Sequence, residues 1–120
     1  MFDTTRKYCL SKRKATEDSP EGWNATCMRI NDKIFAILNN ENGGQASITL
    51  KCDPEIALQV REEYPKTIIP GYHMNKKHWN TIYFDGELSQ EEINKMIDWS
   101  YELVLKSFSK KKQKEILGQE

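Results

Sequence analysis

The segment from Ser89 to Phe108 constrains this chain more than any other. Ile93, Met96, Ile97, Tyr101, Val104, Leu105 and Phe108 recur at the three- and four-residue spacing of one helix face. Ser89, with Glu92 three residues later, reads as a capping box at the start of that helix. An apolar stripe of roughly four turns must be covered, so the rest of the chain has to supply a surface of similar length.

The upstream pattern supplies a sheet. Ala25, Cys27 and Arg29 alternate with Thr26, Met28 and Ile30, and Asn31-Asp32 tolerate a left-handed turn before the run Lys33 to Leu38, which predicts a hairpin. Asn42-Gly43-Gly44 gives a second turn, and the alternation Ile48, Leu50, Cys52 a third strand. Asp53-Pro54 starts a helix, the carboxylate capping free N–H groups and the proline at the first helical position. Its apolar face carries Ile56, Ala57, Val60 and Tyr64, and Pro65 stops it. Ile68 to Tyr72 and Trp79 to Phe84 read as extended, joined by the polar connection His73 to His78. At the front, Thr4 to Lys14 reads as a short basic helix and Thr16 to Gly22 as loop.

The order is helix, three strands, helix, two strands, helix. It predicts an α+β fold with a largely antiparallel sheet of about five strands, packed on one face by helices and partly open on the other. A length of 120 residues fits a single domain, here residues 1–108. Residues 109–120 form a basic C-terminal extension with Lys110, Lys111, Lys112 and Lys114, expected to prolong the last helix or fray.

Charge and motif content narrow the function. Lys plus Arg and Asp plus Glu both number 18, which excludes the overall basic field of a dedicated nucleic-acid binder and leaves local patches to meet any partner. With a mean hydropathy of -0.77 and no apolar run near the roughly 18 residues a membrane span needs, the expectation is a cytoplasmic protein with no membrane partner. Asp3, Arg6 and Lys7 interrupt any leader-like apolar segment. Cys9, Cys27 and Cys52 lack metal or disulfide spacing and read as small hydrophobes. His73 and His78, five residues apart with no carboxylate or thiol nearby, are poor metal ligands. No nucleophile elbow, phosphate loop, dinucleotide fingerprint or zinc-protease motif is present, so no catalytic residue and no cofactor is expected.

Three separated motifs carry more identity: Leu50-Lys51-Cys52-Asp53-Pro54-Glu55, the stretch from Pro70-Gly71 to Asn80, and Ser100-Tyr101-Glu102-Leu103-Val104. Together with Lys33-Ile34-Phe35-Ala36, they make the chain resemble the MmcQ/YjbR-like family over roughly Phe2 to Phe108. Two features depart from that pattern: Pro20-Glu21-Gly22 stands where many members have Pro-Phe-Gly, and the polybasic end is not part of it. The resemblance implies a frataxin-like (CyaY/YjbR-like) fold and a DNA-binding role through a double-wing arrangement. Frataxins are associated with iron through an acidic first helix, whereas the first helix here is basic, so iron is not expected.

Tyr72, His73, Asn75, Lys76, Lys77, His78 and Trp79 form the candidate nucleic-acid-binding segment. Lys76 and Lys77 would meet phosphates, Asn75 and Asn80 would hydrogen-bond, and Tyr72 or Trp79 would stack on a base. The same segment also reads as structural: a turn at Pro70-Gly71, Trp79 in the core and a lysine pair in solvent. Residues 1–14 and 65–84 are locally basic and residues 85–102 locally acidic. An anion-binding surface therefore exists only if the first helix, the Lys76 loop and the chain end lie together. The expected function is weak, sequence-nonspecific binding of double-stranded DNA by a non-enzymatic protein. The alternative is a protein-interaction adaptor using the same loop or the open sheet face.

Overall fold

The computed structural model describes residues 1–39, 45–71 and 74–118. Helix α1 spans Phe2–Leu10 and strand β1 Ala15–Asp18; β2 (Ala25–Ile30), β3 (Lys33–Asn39) and β4 (Ser47–Lys51) follow. Helix α2 (Pro54–Glu63), β5 (Ile68–Pro70), β6 (Trp79–Tyr83), α3 (Gln90–Lys106) and α4 (Lys110–Leu117) complete the chain. The strands form one sheet in the order β1-β2-β3-β4-β6-β5, and every neighbouring pair is antiparallel.

The α+β class matches the sequence reading, and the sheet has six strands rather than about five. The added strand, β1, lies mostly in the stretch that reads as loop, starting one residue before it at Ala15. Its residues are almost all polar and exposed, so no apolar alternation marked it, yet Thr16 pairs with Arg29 and Asp18 with Cys27 along the sheet edge. The turn residues expected there lie beyond it, with Gly22 at φ +84° and Asn24 at φ +52°. The β2–β3 hairpin turns at Asn31, whose φ is +54°, and a bulge interrupts its ladder between Met28 and Arg29. The Asn42-Gly43-Gly44 turn lies outside the described residues.

The two faces of the sheet are covered differently. Met28, Ala36 and Leu50 form one cross-strand row, and Leu38, Ile48, Ile82 and Ile68 another; both face the helices. There Ile93, Ile97, Tyr101 and Val104 of α3 cover them, as the stripe required. Ser89 caps α3 with the predicted box: its Oγ accepts from the Glu92 N–H, while the Glu92 carboxylate accepts from the Ser89 N–H. Ser100 Oγ donates to the Phe35 carbonyl at 2.6 Å and accepts from Lys51 N at 2.9 Å, which ties α3 to the centre of the sheet. Phe108 lies beyond the helix end, half-buried.

The face expected to be partly open is closed at its centre. Cys27, Ile37, Thr49 and Thr81 form a fully buried row, joined by a hydrogen bond between the Thr49 and Thr81 hydroxyls, and Trp23, Ile34 and Met74 pack against its apolar side. A surface built on that row has no exposed side chains to offer, so the sheet-face form of the adaptor reading loses its footing.

The basic chain end neither prolongs α3 nor frays. Ser109 caps a separate helix, α4, by accepting from the Lys112 N–H, and Gly118 ends it at φ +72°. Ile116 is buried in the main core, and Arg13 donates to the Leu117 carbonyl at 2.7 Å.

Candidate nucleic-acid interface

The strand directions decide where the charges go. Because the sheet is wholly antiparallel, the start of β1, the β2–β3 turn, the end of β4 and the β5–β6 connection all lie at one end of it. That end receives Lys14, Lys33, Lys51, Lys76 and Lys77, with the exposed Asp32, Asp53 and Glu55 as counter-charges. Helix α3 starts at the opposite end, after β6, and runs back to deliver Lys106 and the lysines of α4 to the same place; Lys33 Nζ donates to Ser107 Oγ at 2.9 Å. Six strands at about 4.8 Å spacing make this basic end roughly 24 Å wide. The other end carries Asp3, Glu21, Asp85, Glu87, Glu91 and Glu92, with Lys66 as a counterpoint. A chain of zero net charge is thus polarised along its strands.

Ion pairing sharpens the contrast. Arg6 pairs with Glu17 and Arg29 with Asp18 along the flank formed by α1, β1 and β2, and Lys12, just after α1, pairs with Asp98 of α3. Asp98 also accepts from Tyr8 OH at 2.6 Å; that bond, followed by burial, raises the tyrosine's pKa. Desolvation opposes the charge of Lys12, but the hydrogen bond and attraction of Asp98 outweigh it and raise its pKa. Among the described residues, Lys14, Lys51, Lys76, Lys77, Lys106, Lys110, Lys111 and Lys114 form no ion pair. The chain end and the Arg13-Lys14 segment reach the Lys76 end of the sheet, while Arg6 of α1 and Lys12 just beyond that helix are ion-paired.

Within the Pro70–Asn80 segment the residues divide. Asn75, Lys76 and Lys77 are exposed. Asn75 Oδ1 accepts from the Lys77 N–H at 2.8 Å, a local turn that leaves the Lys77 side chain outside, while Lys76 Nζ donates back to the Gly71 carbonyl at 3.3 Å. His78 is half-buried, and its carbonyl accepts from Cys52 N at 2.7 Å. Trp79 is only 6% exposed, so its ring fills the interior and offers no face to a base; the stacking role expected of it does not hold. Asn80, 3% exposed, spends its amide inside, accepting from Arg61 at 2.6 Å and donating to the Ala57 carbonyl. Gly71, just past β5, lies against Trp79: a Cβ there would lie 2.9 Å from Trp79 Cβ and 3.0 Å from its carbonyl oxygen. Tyr72 and His73 lie outside the described residues.

Sequence reasoning missed Arg61. From the last turn of α2 its guanidinium reaches the Asn80 side chain and the carbonyls of Lys76 and Trp79, bracing the loop from behind. In the sequence Arg61 stands beside Glu62 and Glu63, off the apolar face of the helix, and only the tertiary position of the loop gives it this role.

The chain is similar to known proteins over nearly all of its length. The family model described as YjbR matches residues 10–103. The uncharacterized protein YjbR of Escherichia coli K12 is 32% identical over 108 residues, covering 90% of each chain. The uncharacterized protein YbdF of Escherichia coli O157:H7 is 39% identical over 116 residues, covering 97% of this chain and 93% of the relative. A crystal structure from Deinococcus radiodurans superposes with a TM-score of 0.84 at 29% identity, covering 98% of this chain and 88% of that one. A Pseudomonas syringae crystal structure does so with a TM-score of 0.72 at 31% identity, covering 84% and 96%.

Proposed function

The chain belongs to the YjbR family, and on that footing we propose that it is a non-enzymatic, cytoplasmic protein that binds double-stranded DNA weakly and without strong sequence preference. The observation that carries this reading is the polarised charge: unpaired lysines gathered on a roughly 24 Å end of the sheet, on a molecule neutral overall. A duplex presents one phosphate per roughly 3.4 Å along each strand, so an edge of this width faces about seven on each. Lys76 and Lys77 stand on a loop whose backbone is held by Arg61 and Asn75, so less backbone freedom is lost when that loop meets a phosphate. Backbone contacts of this kind position a protein without reading bases, and Trp79 and Asn80, the side chains best suited to base contact, are engaged inside. Burial raises the pKa of all three cysteines, which does not make activated nucleophiles of them.

The test is fluorescence anisotropy of a labelled duplex at two salt concentrations, with wild type beside the Lys76→Ala, Lys77→Ala double variant. Wild type should bind at low salt with affinity that falls steeply as salt rises, and the double variant should lose about two units of the salt slope. No binding by wild type at low salt would overturn the reading.

One observation favours the adaptor reading, on a different surface from the one the sequence suggested. Between α2 and α3, Ile56, Trp99 and Leu103 stay 41%, 48% and 37% exposed around a groove of about 340 Å³. Retained binding of an isolated partner protein, lost on Trp99→Ala, together with no DNA affinity, would make this the better account.

A further inference from the structure

Helix α4 is a built element rather than a charged tail. Its apolar side is committed to the fold through Ile116, 3% exposed, and Leu117, half-buried. Arg13 holds its last turn, and Ser109 and Gly118 close its two ends. What remains outward is a row of ammonium groups: Lys110, Lys111, Lys112 and Lys114 are all exposed, and only Lys112 is ion-paired, to Glu115 at 3.2 Å. Beside the helix, Lys14 and Asn31 face Lys112 and Glu115 across a concavity of about 240 Å³. The helix lies beyond the segment matched by the family model, which ends at residue 103.

We propose that the α4 lysines, with Lys14, form a second phosphate-contact site for the same duplex, flanking the basic end opposite the Lys76 loop. The proposal rests on the duplex reading. In sheet order, Lys14 leads into β1 and Lys76 sits beside β6, four strand intervals apart, or roughly 19 Å. A rigid, linear phosphate array can touch both groups at once. A lipid surface fits poorly, because a helix lying in a membrane interface needs an apolar face to insert, and that of α4 is already turned into the core. The site adds affinity by counterion release, and it fixes the axis along which the duplex crosses the sheet end.

The experiment compares wild type, the Lys110→Gln, Lys111→Gln, Lys114→Gln triple variant, the Lys76→Ala, Lys77→Ala double variant and their combination, on one labelled duplex over a salt series. Glutamine suits a helix, and the Lys112–Glu115 pair and Ile116 are untouched, so helical content by circular dichroism should be unchanged. The triple variant should lose about three units of salt slope if each lysine meets one phosphate, and the combined variant about five. A triple variant with the wild-type slope, beside a double variant that loses its two units, would overturn the α4 site and leave the duplex reading standing. Wild type that fails to bind at low salt would overturn both. Vesicles containing an anionic phospholipid serve as the comparison ligand, and lysine-dependent binding to them with none to DNA would also refute the proposal.

Discussion

Cys9, at 0% exposure on the buried face of α1, shows how a side chain's surroundings set its chemistry. Burial pushes its thiol up from the usual 9.0 to about 12, against the weaker opposing pull of Lys12. A group whose pKa is raised on folding stabilises the fold below its unfolded value. That contribution should therefore be present below about pH 9 and drain away as pH rises toward about 12, seen as a falling melting temperature across that window. In the native protein at pH 8, a thiol alkylating agent followed by mass spectrometry should modify Cys52 first, since it alone is only half-buried, and leave Cys9 and Cys27 untouched. Equal labelling of all three would show that the cover on both faces of the sheet opens easily. The hydrophobic role was legible in sequence from the apolar neighbours of these residues. The bracing role of Arg61 was not, because its partners lie 15 to 19 residues away and are set only when β6 pairs with β4.

At the scale of the element, legibility followed periodicity. Helix α3 carries six of the seven stripe residues, all but Phe108, and the capping box, and it starts where the pattern places it. Strand β1 has neither, because an edge strand exposed to solvent needs no apolar alternation, and it was read as loop. Helix α2 lies between these cases. Pro54 and Asp53 start it as expected, but only Ala57 of its supposed apolar face is fully buried, so periodicity located the helix and overstated its cover. Helix α4 was hidden by its charge, since its docking depends mainly on one buried residue, Ile116. The weight on α3 gives a direct prediction. Ile97 is fully buried at mid-helix, so Ile97→Ala should cost about 2–5 kcal/mol through lost burial and the cavity left behind, measured by denaturant titration. A loss under about 0.5 kcal/mol would mean that the stripe is not what holds α3 to the sheet.

For the whole molecule, the sequence gives a net charge of zero and block-wise charge runs, and neither quantity contains the arrangement that the fold makes of them. Lys14, Lys76 and Lys114 are separated by long stretches of chain, yet antiparallel pairing and the return of α3 bring all three to one end. If that arrangement is what a duplex meets, position should matter and net charge should not. Lys66, between α2 and β5, and Lys95, early in α3, are exposed and belong to the acidic half. The Lys66→Gln, Lys95→Gln variant removes the same two charges as the Lys76→Ala, Lys77→Ala variant and gives the same net charge of -2, from the formal zero. In anisotropy titrations over a salt series, the Lys66/Lys95 variant should keep the wild-type slope, because neither side chain approaches a phosphate, whereas the Lys76/Lys77 variant should lose about two units. The expected affinity difference at a single salt concentration is smaller, since long-range attraction responds to both changes and is screened beyond about 10 Å at 0.1 M salt. Equal losses of slope in the two variants would mean that the protein attracts DNA only diffusely, and that the polarised sheet end is not a docking surface.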